Sequence, residues 1–377
     1  MSDAVDLMLD YHQKSGHYPG ALVHVEQAGD VICRKVTGRL AGAADAPAMH
    51  DQARFRIASL TKPMVSLVVL MLVEEGRISL DTPVSAHLPE LRGMAINQQA
   101  QAGAEPTIAQ LLTHTSGWAY APEIQEPGLR DRALSSGLAG MAEQSREDFL
   151  AALAALPLVV APGQRFLYGY STDLLGLILE RLDDQPLDEL MARRLFAPLG
   201  MAASGFRAGA DEPAQMPRAV ESDLAWSRFN QSFERAEAAA RSGAAEPLIS
   251  GGGGLISTLD DVSRFARLLA ARAVFDGRAF ISEPLFAQMV SNQLPGIVEG
   301  PASFIGSGWG FGFGGAVRLD SGSAAVPAAP GEFTWSGVTG QSLFVDPARG
   351  WFALMLSANT ASRVMVRFEF RRAVSLL

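Results

Sequence analysis

Phe55-Arg56-Ile57-Ala58-Ser59-Leu60-Thr61-Lys62-Pro63-Met64-Val65-Ser66-Leu67-Val68-Val69-Leu70-Met71-Leu72-Val73-Glu74-Glu75-Gly76 is the stretch on which the reading of this chain turns. Phe55 to Ala58 is a short extended piece. From Ser59 the pattern changes: Met64 to Glu75 is apolar almost throughout and Gly76 ends it, which predicts a buried helix. Ser59 and Lys62 stand at the junction, three residues apart, so on a helix they share a face. A serine hydroxyl attacks only when a base removes its proton. Lysine does this when burial or a neighbouring cation pulls its pKa down from about 10.4, whereas arginine stays protonated. The chain has three lysines, Lys14, Lys35 and Lys62, against 28 arginines. A lysine beside an apolar run is therefore a candidate for chemistry. The competing reading is a snorkelling surface lysine next to an N-cap serine, because S-x-x-K by itself is a weak motif.

On the N-terminal side, residues 3–15 predict a helix. Ala21 to Gln27 and Val31 to Val36 flank Ala28-Gly29-Asp30 as a hairpin. On the C-terminal side, helices are expected at 107–113, 146–155, 172–183 (with Thr172 or Ser171 as N-cap), 187–196 and 259–272. Residues 204–250, rich in Ala, Arg and Glu, read as a surface insertion. Gly251 to Gly254 runs straight into apolar Leu255-Ile256 and predicts a sharp turn. Strand signals return at 309–313, 332–335, 342–345 and 351–356, and a helix at about 361–374 follows. Strands at both ends and helices between them predict an α+β fold, an antiparallel sheet flanked by helices with an inserted helical domain. Residues 1–58 and 251–377 would form the discontinuous sheet domain and 59–250 the helical one, with the active site in the cleft between them.

Composition narrows the function. Among 377 residues, 31 Lys plus Arg face 40 Asp plus Glu, a net charge of −9. An acidic, unclustered surface argues against nucleic acid or an anionic membrane as partner. The apolar run at 64–73 is too short to span a bilayer, and the acidic N-terminus lacks the basic start of a signal peptide. Cys33 is the single cysteine, so no internal disulfide forms and the thiol reads as inert core. A cytoplasmic protein, monomeric or a small homo-oligomer, is expected. His12, His17, His24, His50 and His87 show no metal-ligand spacing, and no metal or cofactor is expected. Gly310 to Gly315 matches G-x-G-x-x-G but leads into the strand pattern Ala316-Val317-Arg318-Leu319 rather than a helix, so the dinucleotide reading fails.

Two further segments add chemistry. Phe166-Leu167-Tyr168-Gly169-Tyr170-Ser171 precedes a helix and follows Pro162-Gly163, so Tyr168 can present its phenol to a cleft. Alternatively it is a buried aromatic with a satisfied hydroxyl. Thr334-Trp335-Ser336-Gly337-Val338-Thr339-Gly340 puts small residues on a strand edge, where a backbone N–H can face an oxyanion, or simply eases a bend. Together with Leu111-Leu112-Thr113-His114-Thr115-Ser116-Gly117, Ser250 to Ser257 and Gln341 to Asp346, these motifs resemble the serine β-lactamase and penicillin-binding-protein superfamily. Within it they resemble the family VIII carboxylesterases. The resemblance spans most of the chain and implies a β-lactamase-like fold. It implies Ser59 as nucleophile, Lys62 and Tyr168 as proton carriers, and an oxyanion hole from the backbone N–H groups of Ser59 and Val338.

Two departures favour ester over lactam. Where the lactamases have Lys-Thr-Gly, this chain has Trp335-Ser336-Gly337, which lacks the lysine that anchors a substrate carboxylate. Where they have Y-x-N, it has Tyr168-Gly169-Tyr170, without the asparagine. The expected activity is hydrolysis of small-molecule carboxylic esters of short to medium acyl chain through a Ser59 acyl-enzyme. Trp335, Ser336, Gly337, Tyr170, His114 and Trp309 are expected to contact substrate, and Trp118 and Tyr120 are further aromatic candidates. Alternatives are a β-lactamase, an amidase or D-peptidase, an acyltransferase, or a penicillin-binding-like module that acylates without turnover. A Ser-His-Asp hydrolase is disfavoured because no G-x-S-x-G elbow exists. His114 is expected to be a hydrogen-bonding residue near the site.

Overall fold

The computed structural model describes residues 4–97, 99–102, 105–210, 212, 215–294, 296, 305–319 and 325–377. The strands that frame the site are β1 (Gly20–Gln27), β2 (Asp30–Gly38), β3 (Phe55–Arg56), β4 (Ile256–Ser257), β5 (Trp309–Phe311), β6 (Ala316–Arg318), β7 (Phe333–Ser336), β8 (Ser342–Asp346) and β9 (Trp351–Ser357). Seven of them form one antiparallel sheet in the order β2-β1-β9-β8-β7-β6-β5, while β3 and β4 pair with each other. Val23 of β1 stands opposite Met355 of β9. The expected sheet of N- and C-terminal segments is therefore the one that forms.

Both faces of that sheet are covered, which explains why β9 is apolar at nearly every position. Side chains alternate along a strand. Phe352, Leu354 and Leu356 enter one core with Phe265 and Leu268, and Trp351, Ala353 and Met355 enter a second with Val366 and Phe370. The first core is closed by α9 and the second by α1 and α11. Among the described residues the α-helices of five or more residues are, in chain order, α1 (Ala4–Lys14), α2 (Thr61–Glu74), α3 (Ile108–Leu112), α4 (Pro127–Ser135), α5 (Arg146–Ala154), α6 (Ser171–Asp183), α7 (Leu187–Met191), α8 (Leu224–Arg241), α9 (Leu259–Ala270), α10 (Glu283–Met289) and α11 (Arg363–Val374). The expected first residue of α1 lies outside the described residues. Cys33 is buried, as expected. Among the described residues no helix is long and apolar enough to cross a membrane.

Three expectations change. Neither Thr172 nor Ser171 caps α6: the N-cap is Tyr170, with no side-chain bond, and Ser171 is the first helical residue. The Ser171 hydroxyl is instead bonded to Ser116 Oγ at 2.9 Å. The segment read as a surface insertion contains α8, capped by Asp223, whose carboxylate accepts from Trp226 N at 3.0 Å. This helix is anchored rather than loose. Arg56 donates to both oxygens of Glu237 at 2.9 and 3.0 Å and to Asn230 Oδ1 at 2.9 Å, all buried. A bidentate buried pair of this kind is costly to break, and it ties α8 to the residue three positions before Ser59. Finally, α4 and α10 were not anticipated, because each begins at a proline or just before one in a short, weakly patterned run.

Candidate active site

The segment 57–62 leaves β3 through Ala58, which adopts φ +46°, an uncommon conformation for a residue with a side chain and a local strain. Ala58–Leu60 forms one 3-10 turn that leads into α2. Residues three apart eclipse in such a turn, which puts Ser59 and Lys62 on one side. Pro63 falls in the first turn of α2, where a missing N–H removes no helical bond. The helix then buries nearly all of its residues, Lys62 among them at 0% exposure. The surface-lysine reading is thereby excluded.

A buried ammonium needs partners. Lys62 Nζ donates to the Gly252 carbonyl at 2.6 Å and lies 3.5 Å from both Ser59 Oγ and the Tyr120 hydroxyl. Three acceptors thus meet the three N–H bonds of an ammonium. The ring of Tyr168 supplies a fourth contact, its centroid 4.7 Å from Nζ. Ser59 itself is half-buried, so the cluster opens to solvent at the serine.

Tyr168 joins the cluster through its ring, and its hydroxyl accepts from Trp335 Nε1 at 3.3 Å. Trp335, next to the end of β7, packs against Tyr168 and Phe311, with ring centroids 5.3 and 5.2 Å away. The strand end is laced to the nucleophile turn. Thr339 Oγ1 donates to the Arg56 carbonyl at 3.0 Å, and a Cβ on Gly337 would lie 2.6 Å from the Ile57 carbonyl. Only glycine permits that approach. The Val338 N–H meets no acceptor among the described residues. Tyr170 packs edge-on against Tyr120 at 4.7 Å, and burial pushes both phenols to higher pKa, with Asp173 adding to the effect.

Two expected contact residues are placed otherwise. His114, at φ +54°, is 1% exposed and packs against Tyr168, Phe166 and Phe311. Neither ring nitrogen has a hydrogen-bond partner among the described residues, so the hydrogen-bonding role is not what the structure shows. Burial, with the Lys62 charge, drives its pKa well below the ordinary value, so it is a neutral aromatic support. Trp309 lies under the Arg318 guanidinium, 5.6 Å from its ring, and is not joined to the cluster by a hydrogen bond or ring contact among the described residues. Ser336 accepts a hydrogen bond from Arg367 of α11. A cation therefore stands beside this strand edge although the strand has no lysine. Burial, with Arg363 nearby, pulls the Arg367 guanidinium down to about 10.

Three residues at the site escaped the sequence reading as parts of its chemistry: Tyr120, Gly252 and Asp173. Asp173 had a signal, an acid followed at once by Leu174-Leu175 in a helix that proves wholly buried there. Tyr120 had none that linked it to Lys62.

The family model described as "Beta-lactamase" matches residues 5–376. Esterase EstB from Burkholderia gladioli is 34% identical over 374 residues, covering 95% of this chain and 90% of the relative. Among solved structures, "EstCE1, a hydrolase with promiscuous acyltransferase activity" aligns with a TM-score of 0.82 at 25% identity, covering 98% of this chain and 97% of the other. Simvastatin synthase (LovD) from Aspergillus terreus aligns with a TM-score of 0.76 at 22% identity, covering 99% and 98%, a likeness of fold.

Proposed function

Because the chain belongs to the β-lactamase family, we propose that its buried lysine–serine pair makes it a serine carboxylesterase of the family VIII type, acting on esters of short to medium acyl chain. It is a serine hydrolase. The observation that carries the reading is Lys62, a fully buried amine 3.5 Å from Ser59 Oγ. Ser59 Oγ attacks the ester carbonyl while Lys62, as the free amine and with Tyr168, takes the hydroxyl proton. The ammonium that meets the three acceptors is the form that results. The N–H groups of Ser59 and Val338 receive the oxyanion, a contribution worth about 10²–10³ in rate for each donor. The same pair protonates the departing alcohol, and water then cleaves the acyl-enzyme. Tyr120, Tyr168, Tyr170 and Trp335, linked ring to ring beside Lys62, favour small apolar acyl groups.

A fluorophosphonate is expected to add once, on the peptide that carries Ser59, as read by mass spectrometry. p-Nitrophenyl butyrate should be turned over steadily and a chromogenic cephalosporin little or not at all. An adduct elsewhere would sink the site. Cephalosporin turnover would favour a second reading, in which Arg367 at Ser336 takes over the carboxylate anchor that the missing lysine supplies in lactamases.

The two phenols near Lys62 are expected to differ. Tyr120 is held protonated by burial and accepts a hydrogen bond from Lys62, so it orients the amine. Tyr168→Phe should lower kcat by about 10²-fold or more, as for a proton carrier. Tyr120→Phe, which removes one hydrogen bond, should lower it only about fivefold. The reverse order would move the relay to Tyr120.

A further inference from the structure

The Asp173 carboxyl, in the first turn of α6, has no part in the reaction as written above, yet it is built into the site. It is 1% exposed. Its Oδ1 accepts from Ser250 Oγ at 2.6 Å and from the Gly252 N–H at 2.9 Å, while Oδ2 has no hydrogen-bond partner among the described residues. Gly252 is thus gripped from both sides: its N–H by Asp173, its carbonyl by Lys62 at 2.6 Å. A Cβ at 252 would lie 2.5 Å from Asp173 Oδ2, and one at 251 would lie 2.7 Å from the Thr172 carbonyl. The turn therefore sits directly on the start of α6, as the run of glycines allows.

A neutral acceptor would satisfy Ser250 and Gly252 equally well. A buried carboxyl that leaves one oxygen unpaired is costly if its role is only to hold the turn. What the carboxyl adds is charge. Burial raises its pKa, and the Lys62 charge opposes that rise. The other titratable groups that face this carboxyl and amine are the phenols of Tyr120, Tyr168 and Tyr170 and the neutral imidazole of His114.

We propose that Asp173 is a positioning residue for Lys62: through Gly252 it fixes the carbonyl on which the amine docks, and its charge holds the amine in line with Ser59. It acts through Lys62 and touches no substrate. The inference rests on Ser59 and Lys62 being the reacting pair.

The test compares kcat, KM and the pH profile for p-nitrophenyl butyrate in wild type, Asp173→Asn and Ser250→Ala. Asparagine keeps the shape and an acceptor oxygen but loses the charge. Its kcat should fall about 10–100-fold while KM stays within about threefold, and the acid limb should move to lower pH, because an ammonium without a nearby anion gives up its proton more easily. A purely structural role would not move that limb. Ser250→Ala keeps the carboxylate, so kcat should fall about 3–10-fold with the limb in place. Wild-type kcat and an unmoved limb in Asp173→Asn overturn the proposal. Should that variant fail to fold by circular dichroism, unchanged kcat in Ser250→Ala overturns it instead. Absence of fluorophosphonate labelling at Ser59 in the wild type would bring down the reading of the reacting pair, an outcome separate from either variant's.

Discussion

Ser59→Ala is expected to abolish ester turnover, lowering kcat by about 10⁵–10⁶-fold, the scale seen when a serine hydrolase loses its nucleophile. The adjacent Thr61 hydroxyl cannot substitute. Thr61 Oγ1 donates to the Ala58 carbonyl at 2.6 Å and is fully buried. The fold should be indifferent, since Ser59 is half-buried, so the melting temperature should stay within about 2 °C of wild type. Loss of activity with an intact melt is the signature of a nucleophile. Retained turnover would remove Ser59 from the mechanism, and with it every role built around it.

Lys62→Ala is the second large effect, about 10³–10⁵-fold in kcat at neutral pH, because both acylation and deacylation lose their proton carrier. Lys62→Arg should be no better, since a guanidinium cannot give up its proton at any working pH. It would also have to fit a larger group between Gly252, Tyr120 and Tyr168. A small primary amine in the buffer should restore part of the activity of Lys62→Ala, by entering the space left by the side chain, but none of Ser59→Ala. Near-normal turnover of Lys62→Ala at pH 7 would show that another group takes the serine proton.

How far the sequence foretells these residues depends on whether their partners are local. Ser59 and Lys62 are three positions apart, and the change of periodicity around them marks the junction, so both the helix and the pair were legible. The sheet was legible because β1, β2, β8 and β9 carry continuous or alternating apolar patterns. The partners of Lys62 are not local. Tyr120 arrives by way of a loop in which His114 and Gly117 both take positive φ, and nothing in residues 113–120 announces where such a loop ends. Gly252 comes from 190 positions away. The α8 helix was missed for a related reason. Its surface is largely Ala, Arg and Glu, and the buried bonds of Arg56 to Glu237 and Asn230 that help to hold it cross separations that composition does not reveal. His114 was misjudged because a histidine between two threonines reads as polar, whereas packing against Tyr168 and Phe311 uses only its ring.

The pairing of Val23 with Met355 also governs how the protein comes into being. Their strands lie about 330 residues apart, and a loop of that length carries a large closure cost before any pairing rewards it. On a ribosome adding about 5–20 residues per second, the β1–β2 hairpin waits roughly 20–60 s for the strand that completes its sheet. A lone hairpin is at best marginally stable in water. The helices between residues 61 and 270 therefore emerge and condense first, and the sheet that carries Trp335, Ser336 and Gly337 to the serine closes last. The active site is therefore completed only once β9 has been made, and until then β1 keeps an unpaired strand edge.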